Sequence, residues 1–163
     1  MNIETDLAYL KAALPELERY LLSAELYYPL EARLRPLTLG GVELALARTA
    51  QRVESRGARV RVDSLRAERF SAWQTKAAHE VKSRASLWSQ YLAEYTEDNK
   101  SNSHLYAQQV YHRAILSLLG AKKHAGDFFL KSVFREGSFI WEAESAPSFP
   151  RETFWYLFGN IKE

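Results

Sequence analysis

The chain contains no cysteine. That excludes disulfide bridges, thiolate nucleophiles and Cys-ligated zinc. No apolar run is long enough to span a bilayer. The first residues, Met1 to Asp6, are acidic and lack the apolar stretch of a secretory signal. A cytoplasmic protein with no membrane partner is the expectation.

Glycine and proline are scarce, seven and five among 163 residues, and neither occurs from Ala58 to Leu119. Those two residues are the strongest breakers of regular structure. Within the stretch only the polar cluster from Asp98 to Ser103 interrupts the pattern. It predicts a long helix, a turn and a return helix, at about 64–97 and 104–119. Phe70, Trp73, Ala77, Val81, Trp88, Tyr91 and Tyr95 fall at helical spacing on one face of the first. The return helix is too short to cover the whole of its partner, so Phe70 and Trp73 need another surface. Helices before residue 57 or a second subunit would supply it.

What remains is ordinary for a folded chain. The length suits a single domain spanning residues 1–163. A hydrophobic fraction of 47% and a charged fraction of 26% are typical of globular proteins. Pro15 is read as the first turn of a second helix, after a short one ending near Ala13. Thr38 is a candidate N-cap for a helix from Leu39 to about Arg56, with Gly57 just past its end. The alternation Arg59-Val60-Arg61-Val62 suggests a short extended segment. Gly120 ends the return helix, and residues 127–135 form one more. The expected fold is all-α, five to six helices built on the hairpin. An irregular aromatic segment, 137–163, packs on it.

Charge is unevenly spread. Residues 33–84 carry twelve Lys and Arg against five Asp and Glu, and ten of the twelve are Arg. Arg48, Arg52 and Arg56 are four apart and share a helix face, and Arg59, Arg61, Arg66 and Arg69 follow directly. Forked guanidinium groups suit phosphate or carboxylate. A nucleic-acid backbone would repay their mutual repulsion through ion release. The plainer reading is a solvated face, partly neutralised by Glu54, Asp63 and Glu68 or by the acidic N-terminal segment. Aromatics gather near the C-terminus, where Phe154, Trp155 and Phe158 are candidate docking anchors or the cap of the core.

Catalytic patterns are absent. The four histidines, His79, His104, His112 and His124, form no HExxH motif. His124 and Asp127, three apart, could orient an imidazole or hold a metal, but a structural His is the simpler reading. Glu80 and Arg84, four apart, read as a flanking ion pair. Gly40-Gly41 lacks the context of a phosphate loop and suits flexibility or close packing in a first helical turn. No catalytic residue, cofactor or metal is expected. The chain reads as a non-enzymatic interaction or adaptor protein, a homodimer or small subunit. A helical nucleic-acid-binding subunit is the alternative.

Overall fold

The computed structural model describes residues 2–135 and 149–161. The fold is all-α. Two compact units share the chain, Met1–Glu80 and Val81–Glu163. Among the described residues no helix is long and apolar enough to cross a membrane.

In the first unit, α1 (Ile3–Leu22) is capped by Asn2, whose Oδ1 accepts the Thr5 N–H at 2.8 Å. Pro15 lies inside this helix and does not start a new one. The buried stripe of Tyr9, Leu10, Ala13, Leu17, Tyr20 and Leu21 runs straight past it and fixes one continuous helix. Pro15 and Lys11 are both exposed, so the Lys11 carbonyl that loses its proline partner faces water. Then follow α2 (Leu39–Arg48), with Thr38 Oγ1 capping the Gly41 N–H at 2.9 Å, and α3 (Val53–Glu68).

The expected helix from Leu39 to Arg56 is thus divided. Thr49 turns its hydroxyl back to the Ala45 carbonyl and to Ser55 Oγ, and the chain breaks across Thr49–Arg52. Gly57 sits in the body of α3, not beyond a helix end. The segment Arg59–Val62 is helical as well, not extended. Val62 joins Ala58 and Leu65 in the core at spacings of four and three, and that period overrides a four-residue alternation. Arg69 interrupts the predicted long helix, so α4 runs from Phe70 to Glu97.

The first turns of α4 find their partner within the same unit. Trp73 is buried, and Lys76 donates to the Ser23 and Glu25 carbonyls past the end of α1, each at 2.7 Å. A cation there also complements the helix dipole. Phe70 stays 55% exposed.

In the second unit, α4 continues and turns through α5 (Asn99–Asn102) and one turn of 3-10 helix, Ser103–Leu105, into α6 (Tyr106–Leu118). Trp88 and Tyr91 meet Tyr106 with ring centroids 6.2 and 6.5 Å apart, so the expected hairpin forms through its aromatic stripe. Gly120, at φ 96°, follows α6 in the left-handed region that favours glycine. Next comes α7 (Asp127–Val133), then β1 (Phe134–Arg135), paired antiparallel with β2 (Asn160–Ile161). Phe149, Phe154, Tyr156, Leu157 and Ile161 are buried, so residues 149–161 close this core. Of the expected irregular aromatic segment, 137–163, residues 137–148 lie outside the described residues.

Candidate functional site

A buried charge network lies at the start of α2. Asp6, in the first turn of α1, is fully buried. Its Oδ1 accepts from Arg35 Nη1 at 3.0 Å, and its Oδ2 lies 2.7 Å from Arg48 Nε. Arg35 also donates to the Gly41 carbonyl and lies 4.0 Å over the Tyr9 ring. Tyr9 Oη donates to the Pro36 carbonyl and accepts the Thr38 N–H. Burial raises the Tyr9 phenol above its ordinary value, and the charge of Arg35 only partly opposes this. Glu80 is buried too and accepts the Gly40 N–H at 2.9 Å. A carboxylate at a helix N-terminus is favourably placed. A Cβ on Gly41 would come within 2.6 Å of Tyr9 Oη, which accounts for glycine there.

Two guanidinium groups around one carboxylate is a recognition geometry, but here the carboxylate itself is fully buried and both its oxygens are taken by Arg35 and Arg48. The desolvation of these charges is offset by mutual contact. The network therefore fastens α1, the 35–41 segment and α2 together. Asp6 could have been found from sequence: it shares the apolar stripe of Tyr9, Leu10 and Ala13, where a carboxylate needs a cation. Only the fold reveals Arg35 as one of those cations.

The seven arginines singled out above do not form one surface. Arg48 is the buried partner of Asp6. Arg52 reaches Glu4 at 3.2 Å and Glu54 at 3.8 Å. Arg59 forks onto Glu43 at 2.8 and 3.3 Å and touches Asp63. Arg66 lies 5.6 Å from the Trp73 ring, and Arg69 pairs with Glu18 at 2.6 and 3.1 Å. Arg56 and Arg61 remain, exposed on α3 with no carboxylate partner among the described residues.

The outer face of α3 is unusual for a surface helix. Its core face is Ser55, Ala58, Val62 and Leu65. On the opposite side stand Val53, 71% exposed, Gly57 and Val60, 67% exposed, continued by exposed Ser64 and Ala67. Charged residues flank this strip and do not occupy it. A shallow cleft of about 330 Å³, lined by Leu46, Ala47, Ala50, Ser55, Arg56 and Arg59, lies between α2 and α3 on the other side of Arg56 from this strip.

The second unit holds a denser network. Arg113, fully buried on α6, forks onto Asp127 at 2.8 and 2.9 Å. It also donates to Ser117 Oγ and the Lys122 carbonyl, and stacks 4.7 Å from the Tyr156 ring. Burial alone would raise the Asp127 carboxyl, but the Arg113 hydrogen bonds and charge hold it below the usual range. Burial lifts the Tyr156 phenol to about 12.

Ser89, His124 and Asp127 lie in a row that imitates a nucleophilic triad. Ser89 Oγ is 3.1 Å from His124 Nε2. The tautomer is wrong for that chemistry. His124 Nδ1 accepts the Gly126 N–H at 3.0 Å, so the neutral ring carries its proton on Nε2 and donates to Ser89. A general base needs the reverse. Asp127 meets the His124 backbone N–H, not the ring. Desolvation lowers the His124 pKa further. No three His, Asp or Glu side chains among the described residues are arranged to hold a metal ion.

The C-terminal aromatics belong to this unit. Phe154 is 6% exposed, 4.9 Å from the Phe149 ring. Trp155 is half-buried against Phe134 at 5.5 Å, and Phe158 is half-buried with Arg151 over its ring. No protein-family model matches this chain, and neither a curated protein nor a solved structure matches it significantly.

Proposed function

We propose that the protein is a non-enzymatic interaction protein whose working surface is the outer face of α3. The observation that supports this reading is the strip from Val53 through Gly57 and Val60 to Ala67. It sets apolar and small side chains where a solvated helix ordinarily carries charge. Hydrophobic residues ringed by charge are the usual anatomy of a docking patch. Around it, Arg48, Arg52, Arg59 and Arg69 are engaged with carboxylates and hold the scaffold rigid.

A photo-crosslinking residue at Val60, expressed in the cell of origin, tests the reading. The expected product is one or a few discrete adducts, absent when the same residue replaces Ser101 in the hairpin turn. A Val60 sample without discrete adducts overturns it.

A second reading rests on Arg56 and Arg61, whose guanidinium groups are open to a phosphate. There the protein would be a nucleic-acid-binding subunit that contacts the backbone without reading sequence. Mobility shifts over a salt series check it, with binding that weakens steeply as salt rises. No retention at the lowest salt removes this reading.

A further inference from the structure

The charges beside the α3 strip are arranged for a particular occupant. Val53, Gly57, Val60, Ser64 and Ala67 are spaced 4, 3, 4 and 3, the seam of a two-helix coil. Arg56 and Asp63 border the seam on one side. Glu54, Arg61 and Glu68 border it on the other.

Two copies of α3 can meet along this seam in either sense. In a parallel pair, each residue of the first border faces one on the partner's other border five positions on. Arg56 then meets the partner's Arg61, and Asp63 meets the partner's Glu68. Both contacts join like charges. In an antiparallel pair, residues on the same border face each other. With Gly57 against the partner's Val60, and Val53 against the partner's Ser64, Glu54 meets the partner's Arg61 and Arg56 meets the partner's Asp63. Twofold symmetry repeats each contact, so four opposite-charge pairs flank the seam.

We infer that α3 is the contact surface for a second copy of this chain, packed antiparallel about a twofold axis near Ala58–Arg59. The inference rests on the docking reading above and names its partner. Three features support it together. Val53 and Val60 are exposed, Arg56 and Arg61 have no carboxylate partner among the described residues, and Asp63 is 57% exposed despite its Arg59 contact. Gly57, with nothing within 4 Å of the place a Cβ would occupy, leaves the partner's Val60 room for close approach.

The contact is small. A 16-residue helix is about 24 Å long, and a strip about 10 Å wide covers far less than the roughly 800 Å² per partner of a standard interface. A reversible dimer follows, populated at high protein concentration and weakened by salt.

Sedimentation equilibrium of the full chain from ~10 µM to ~1 mM reads the association directly. The mass is expected to climb from 18.8 kDa toward twice that value. Arg61→Glu is expected to weaken the dimer roughly tenfold, since two attractive pairs become repulsive. Adding Glu54→Arg restores it, because the pair is then reversed and complementary again. Gly57→Gln is expected to abolish the dimer while the melting temperature holds or rises, which separates blocked docking from misfolding.

A monomer at every concentration overturns the second-copy inference. So does a double variant no better than Arg61→Glu alone. Neither result touches the docking reading, which stands or falls on the Val60 crosslink. An adduct with a different protein, together with a monomer mass, keeps the docking reading and refutes self-pairing.

Discussion

Asp6 shows how much one side chain holds when its charge is buried. Its carboxylate is fully enclosed and answers both Arg35 and Arg48. Asp6→Ala would leave two guanidinium groups facing a void, one of them almost wholly buried. The expected loss is ~3–5 kcal/mol, read as a shift in the urea midpoint. Replacing Arg52, whose pair with Glu4 is exposed, is expected to cost under ~1 kcal/mol in the same measurement. His112 makes a second case. Burial, and then the Arg84 charge beside it, lowers its pKa to about 4. The folded protein therefore holds this ring neutral, whereas the unfolded chain takes up the proton near pH 6.5. The unfolded state binds more protons between those values. The contribution is full above about pH 6.5 and is lost as pH falls toward 4. The ring is partly solvated, so the loss is ~1–2 kcal/mol. Denaturation series from pH 7 to pH 4 check it, and His112→Gln is expected to flatten the slope.

At the scale of an element, the three glycines at 41, 57 and 120 receive the same substitution with different outcomes. Gly57→Ala places a Cβ in open space on α3 and is expected to stabilise by ~0.5–1 kcal/mol. Gly41→Ala pushes against Tyr9 Oη and Thr38 Oγ1 at the start of α2, with an expected cost of ~1–3 kcal/mol. Gly120→Ala must hold φ 96° after α6, costing ~1–2 kcal/mol. Thermal melts of the three variants rank them. The sequence marks Gly120 by its place after a periodic helix and allows close packing at Gly41, but it places Gly57 past a helix end. The same limit explains what was legible in the elements. Long aromatic periodicity at Trp88, Tyr91 and Tyr95 identified the hairpin. The break at Thr49–Arg52 has no Gly or Pro to announce it; there the Thr49 hydroxyl bonds the Ala45 carbonyl, alongside the Thr49 N–H, and Ser55 Oγ. Pro15 misled for the opposite reason, because a continuous buried stripe outweighs one lost backbone hydrogen bond on an exposed side. The candidate site was partly legible. Charge composition pointed to the region of α3, but the outward apolar strip depends on which face the core takes.

At the scale of the whole chain, the C-terminal segment decides the stability of the second unit. Phe149, Phe154, Tyr156, Leu157 and Ile161 are all buried there. Tyr106 Oη donates to the Tyr156 carbonyl at 2.6 Å, and Tyr156 Oη meets Ser117 Oγ at 2.8 Å. At ~1.5–3 kcal/mol for each large apolar side chain, five of them supply on the order of 10 kcal/mol of burial. That is comparable with the entire net stability of a typical domain. Removal would also expose Tyr106 and strip Arg113 of its aromatic face. Deleting residues 149–163 is therefore expected to collapse the tertiary packing around Trp88. Near-UV circular dichroism should lose its aromatic signal, and amides in α6 should exchange at the rate of an unfolded chain. A detachable docking arm would behave otherwise, leaving both signals intact while assembly alone was lost. The buried positions of Phe154 and Tyr156 favour the first outcome, so the segment acts as the closing layer of a core.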